Sequence, residues 1–242
     1  YLPKKIHLYC NDFLQTKSSI REIFKKSGWS ISFRDKYYFD QQSKLKKEKI
    51  ILCEGNNYKI LNNLTLPNIL FSEEHNSVSI FENIKTRIKY ALRDKDYLLS
   101  AEVLLLKQKF TKYYILDYYC IENYLYHPDN LAEISPKGYS KEIYIEEIIR
   151  CKNELLSKPL NIDAIRKCYV ELKYHKLKKI HNAESQIIEE LNSNDFETFY
   201  QHFDMKKYFK KTYLSAWNLN ENKLSATNWF KNKILKIIKD RK

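Results

Sequence analysis

Lys49-Ile-Ile-Leu-Cys-Glu54-Gly55 is an unbroken apolar run that ends on an acid and a glycine, and Tyr90-Ala-Leu-Arg-Asp94-Lys-Asp96 ends a second such run on two alternate aspartates. Runs of four to six apolar residues are too short for buried helices. Without polar alternation they read as strands covered on both faces, the signature of a parallel sheet. Working outward, strands are expected at 49–53, 68–72, 77–81, 89–93 and 112–117, with helices at 56–64 and 82–88 between them. That alternation predicts an α/β domain with a largely parallel sheet flanked by helices. Carboxylates placed just past the ends of parallel strands collect at one edge of such a sheet even when far apart in sequence.

Glu54, Asp94 and Asp96 are the residue types that hold a hard divalent cation. Mg²⁺ or Mn²⁺ takes carboxylate and water oxygens in near-octahedral geometry, and substrate oxygens complete the shell. A metal held in this way acts on phosphates. If 94–96 continue the strand, both aspartates face the same side. The chain has only three glycines, and Gly55 directly after Glu54 suits a tight strand-to-helix turn.

These residues resemble the catalytic core of the Toprim superfamily, whose pattern is a glutamate-glycine after the first strand and an Asp-x-Asp after a later one. The segment Ile121-Glu122-Asn-Tyr-Leu125 is similar to that of an uncharacterised-domain branch of Toprim proteins, associated with ABC-type ATPases in bacterial anti-phage islands and including the Toprim nuclease subunits of PARIS-type systems. The likeness covers roughly residues 49–126. It implies a Mg²⁺- or Mn²⁺-dependent nuclease that cuts RNA, tRNA foremost, or DNA as a toxic defence effector. Glu54, Asp94 and Asp96 would be the metal ligands, and Glu122 a further catalytic carboxylate. An ABC-type ATPase is the implied partner, and self-association into a homo-oligomer stays open. Two positions depart from the family pattern: Asn57 stands where many members carry an acid, and Leu98 where a third aspartate would stand. A non-catalytic module that binds nucleic acid or an ATPase is the alternative reading. There is no G-x₄-G-K-[ST] loop, so P-loop ATP hydrolysis is not expected.

The net charge of +13 is unevenly spread, with +7 on residues 1–50, −1 on 51–138 and +7 on 139–242. Basic flanks around a near-neutral core would draw in polyanions, although a lysine-rich composition also arises from an AT-rich genome. Lys206, Lys207, Lys210 and Lys211 recur at helical spacing among aromatics and are candidates for tracking a phosphate backbone, as is Lys95 if it turns toward the acids. The alternative for this patch is a solvated helix face. Five scattered cysteines without C-x₂-C spacing argue against a zinc ribbon or a disulfide framework. No apolar run spans a bilayer, and Tyr1-Leu-Pro-Lys-Lys is too polar for a signal peptide, so a cytoplasmic location is expected.

Three regions are expected: an accessory segment or tail of an upstream domain at 1–48, the Toprim-like core at 49–138, and a helical region at 139–242. In the first, short strands at 6–10 and 29–34 flank a helix opened by Ser19-Ile-Arg-Glu22 and closed by Gly28. In the last, Ser140 caps a helix carrying Ile143, Ile145, Ile148 and Ile149. A long helix with one interruption runs from Ile162 toward Leu191, and a final one begins near Ser225 with Phe230, Ile234, Ile237 and Ile238 inward.

Overall fold

The computed structural model describes residues 5–8, 30–33, 49–86, 89–174, 182–209 and 212–239. The chain divides into two units, 1–48 and 49–242. In the first, β1 (Lys5–Leu8) and β2 (Ser30–Phe33) pair in parallel. The expected helix between them lies outside the described residues.

The second unit is built on four parallel strands: β3 (Lys49–Glu54), β4 (Ile69–Glu74), β5 (Tyr90–Arg93) and β6 (Tyr113–Ile115), in the order β4-β3-β5-β6. Helices α1 (Asn57–Asn62), α2 (Ser77–Lys85) and α3 (Ser100–Lys109) connect successive strands. The α/β class read from the sequence is therefore the observed one. Ile51, Leu52 and Cys53 of β3 are all buried, as are Ala91, Leu92 and Arg93 of β5, which is why those runs carry no polar alternation. The strand order has a functional consequence. From β3 the chain first steps sideways to β4 and then crosses back past β3 to β5. The ends of β3 and β5 thus flank the point where the winding reverses, and in open parallel sheets this is where a crevice forms beyond the carboxyl ends of the strands.

Two stretches depart from the sequence reading. Residues 77–81, expected as a strand, form the first turns of α2. The Asn76 side chain accepts a hydrogen bond from the Ser79 N–H at 2.9 Å, so it caps a helix whose buried residues, Ile80, Phe81 and Ile84, recur at helical spacing. Val78, which completed an apparent alternation with Ile80, is 44% exposed. Residues 100–109, given no element from the sequence, form α3; Val103 and Leu106 face inward while Leu104 and Leu105 face out. Leucines on both sides of the helix erase the periodic signal.

The helical region continues with α4 (Ile121–Leu125), α5 (Pro128–Ile134) and α6 (Lys141–Leu156). Ser140 caps α6 as expected, its hydroxyl accepting from the Ile143 N–H at 3.3 Å. The buried stripe of α6 is Tyr144, Ile148, Cys151 and Leu155 rather than the isoleucine set, and Ile143 is 68% exposed. The long helix expected over 162–191 is instead α7 (Ile162–Lys167), α8 (Val170–Lys173) and α9 (Ala183–Asn192). Then follow α10 (Phe196–Tyr200), α11 (Met205–Tyr208), α12 (Thr212–Ala216), α13 (Glu221–Ser225) and α14 (Asn228–Lys239). Ser225 ends α13 instead of opening the last helix. In α14 the four expected residues, Phe230, Ile234, Ile237 and Ile238, are the buried ones, and this helix packs on β6 and α5. No described helix is long and apolar enough to cross a membrane.

Candidate active site at the ends of β3 and β5

β3 ends on Glu54, and Gly55 then turns the chain with φ at +53° while its N–H donates to the Glu74 carbonyl at 2.9 Å. A left-handed residue here is strained for any side chain but glycine's hydrogen. The turn feeds α1, whose Asn57 donates from Nδ2 to Asp94 Oδ1 at 2.9 Å. Asn57 thus occupies the place of the missing acid and binds one instead. The Ser77 N–H at the start of α2 hydrogen-bonds Glu54.

β5 ends at Arg93, so Asp94-Lys95-Asp96 is a turn and not a strand continuation. Asp96 has φ at +48°, and the alternation that would have put both aspartates on one face does not operate. What holds the turn is Arg93, which is fully buried. Its Nε donates to the Asp94 carbonyl at 2.6 Å, one terminal nitrogen to Glu171 at 2.5 Å and the other to Asp96. Glu171, on α8, also accepts from the Tyr113 hydroxyl. The Tyr169 ring lies 5.2 Å from the guanidinium carbon. Beside this cluster Arg166 of α7 makes a buried two-point pair with Glu102, at 2.6 and 3.0 Å, and reaches the Tyr97 carbonyl. The α7–α8 segment therefore locks the turn through two buried Arg–Glu pairs.

The Ile121-Glu-Asn-Tyr-Leu segment can now be read residue by residue. Ile121, Tyr124 and Leu125 are fully buried core. The Tyr124 hydroxyl accepts from the Asp117 and Tyr118 N–H groups at 2.7 and 3.2 Å. Asn123 hooks the loop between α10 and α11 through the Tyr200 and Phe203 carbonyls at 3.1 and 2.8 Å. That loop presents Asp204 and Lys206. Glu122 is the member of the segment that turns toward the acids, 3.8 Å from the Lys206 ammonium.

The carboxylates do converge electrostatically. Burial pushes the Asp94 carboxyl well up from its ordinary value, and the nearby charges of Asp96, Glu54 and Glu122 push it further against the pull of Arg93. Glu54 is raised by burial, opposed by Arg93 and reinforced by Asp96. Asp96 is raised by burial despite its bond to Arg93. Asp204, which the sequence reading did not single out, is raised by burial and by Glu122. Glu54 Oε2 and Glu122 Oε2 are buried with no hydrogen-bond partner. Among the described residues, however, no three His, Cys, Asp or Glu side chains are drawn into a ligand set for a metal ion. The acids form a spread cluster, as like charges favour.

Lys206 faces this cluster and is raised by Glu122 and Asp94. Lys207 is exposed and lies over the Tyr208 ring. Lys210 and Lys211 lie outside the described residues. Lys95 does not turn toward the acids: it is buried, and its ammonium donates to Gln201 Oε1 at 3.0 Å. Cys53 and Cys120 are buried thiols, raised chiefly by burial. No family model, curated protein or solved structure matches the chain.

Proposed function

We propose that the chain is a Mg²⁺- or Mn²⁺-dependent phosphodiesterase that cleaves nucleic acid, and that it serves as a defence effector. The observation that carries the reading is Asp94 set among Glu54, Asp96 and Glu122 at the winding reversal of a parallel sheet, with two carboxylate oxygens buried and unpartnered. The donor chemistry fits a hard divalent cation: every candidate is a carboxylate oxygen, and the cluster lacks the positive charge that would lower its raised pKa values. Asp94 and Glu54 would hold the ion, with Asp96 contributing the oxygen that Arg93 leaves free. Such an ion supplies Lewis-acid activation of a phosphodiester and of water.

The chain's own residues do the rest. Asn57 fixes the Asp94 rotamer, and Arg93 fixes the turn that sets Asp94 against Asp96. Glu54, with its raised pKa, is suited to take a proton from an attacking water near neutral pH. Lys206, at the mouth and mostly exposed, is placed to meet a phosphate oxygen as it enters. The basic flanks supply long-range attraction for a polyanion. RNA as the substrate, a cytoplasmic location and an ABC-type ATPase as the restraining partner rest on the Toprim resemblance alone.

The reading is tested by incubating the purified chain with total RNA and with plasmid DNA in Mg²⁺, in Mn²⁺ and in chelator. Cleavage that needs metal and falls by about 10²-fold or more in Glu54→Gln is expected, the usual scale for losing a general base. Equal cleavage by parent and variant contradicts it. The spread of the carboxylates favours a second reading, a nucleic-acid-binding module without catalysis; that module would retain labelled RNA but take up no Mn²⁺.

A further inference from the structure

Lys95 lies between the two aspartates in sequence but on the other side of their turn. Its electrostatic neighbours are Glu190, Asp117 and Lys107, and none of the acids around Asp94 is among them. The ammonium makes a single hydrogen bond, to the neutral amide oxygen of Gln201, although an ammonium carries three donors. Burial lowers its pKa to about 8, as expected for a charge that is incompletely compensated. The acids nearby are committed elsewhere. Glu190 pairs with His202 at 2.6 Å, and Asp117, 54% exposed, lies 3.6 Å from Lys107.

Lys95 lines a cleft of about 210 Å³ together with Ser100, Lys107, Asp117 and Gln201, over an apolar wall of Val103, Leu104 and Leu116. Ser100 is the first residue of the ten-residue helix α3, and the preceding Leu99 has no side-chain oxygen to cap it. Helix amides, a hydroxyl, a buried ammonium and a second lysine at the rim therefore converge on one cavity. That is a donor set without an acceptor, and it suits an anion with several oxygens better than a planar carboxylate.

We propose that this cleft binds a small phosphate-class anion, either inorganic phosphate or the terminal phosphate of a monoester, through Lys95 and Ser100 with Lys107 at the mouth. The proposal does not depend on the nuclease reading, because the cleft shares no residue with the acidic cluster and its test is run in chelator.

Thermal unfolding is followed at constant ionic strength with phosphate replacing chloride. At a phosphate concentration about ten times Kd the parent is expected to gain roughly 3–6 °C in Tm. Lys95→Met should gain nothing, and Lys107→Gln, altered only at the partly exposed rim, should bind several-fold more weakly. Lys206→Ala/Lys207→Ala should respond like the parent, which separates this cleft from general attraction to a basic protein. If Lys95→Met does not fold, the Lys107→Gln affinity and ³¹P line broadening of phosphate by the parent decide the matter. Replacing phosphate by 5′-phosphorylated and 5′-hydroxyl oligonucleotides distinguishes a free ion from a chain end. No phosphate-specific shift in the parent, a shift unchanged in both cleft variants, or one lost equally in the Lys206/Lys207 variant overturns the proposal.

Discussion

Asp94→Asn is expected to raise the stability of the chain by about 1 kcal/mol while lowering metal-dependent cleavage by about 10²-fold or more. Asp94 is crowded by protein and faces three other carboxylates, with Arg93 the one compensating charge at hand. An amide of the same shape keeps the hydrogen-bonding size of the group and removes the repulsion. The pH dependence has a definite sign. The folded-state pKa values of Asp94, Glu54 and Asp96 are raised, so their contribution to stability is fully present below their ordinary values, 3.8 for the aspartates and 4.5 for the glutamate, and is lost as pH climbs through the raised values. Mild acidification from neutral pH should therefore strengthen the parent, and Asp94→Asn should show less of that gain. Urea unfolding at several pH values measures both. A variant clearly less stable than the parent at neutral pH would mean that Asp94 is a structural acid held by Asn57.

Arg93→Met is expected to have the opposite effect, a loss of about 3–5 kcal/mol, because it strands Glu171 in the interior with its charge unpaired. Both side chains of that pair are fully buried, and the same arginine holds Asp96 and the Asp94 carbonyl. The double variant Arg93→Met/Glu171→Met removes both charges and should recover much of the loss, leaving chiefly the Tyr113 hydroxyl without its acceptor, at about 1 kcal/mol. A double-mutant cycle in urea gives the coupling directly. If the double variant is as damaged as the sum of the singles, the pair is not a coupled unit and the locking of the turn must be assigned elsewhere.

The parts of this fold that are readable in sequence are those where one residue's surroundings dominate its character. The run 49–53 and the run ending at Arg93 are apolar because both faces of a central strand are covered, and their terminal acids mark the strand ends whatever happens elsewhere. Pairings across long separations were not readable. Arg93 looks like one more basic residue until Glu171 arrives 78 positions later, and Asp204 reaches the acidic cluster only because Asn123 anchors its loop. The direction of Lys95 depended on the strand ending at Arg93 and on the left-handed backbone of Asp96, and neither is encoded by alternation. The strand expected at 77–81 failed because Asn76, a capping residue, outweighs a two-residue alternation.

The most direct measurement is a titration with Mn²⁺ followed by electron paramagnetic resonance, which counts free aqueous ion. The account predicts saturable uptake by the parent chain, weakened at least tenfold in Glu54→Gln and Asp94→Asn and unchanged in Lys95→Met. Uptake that is absent from the parent, or that ignores both carboxylate substitutions, would show that these acids meet for some purpose other than gripping a divalent ion.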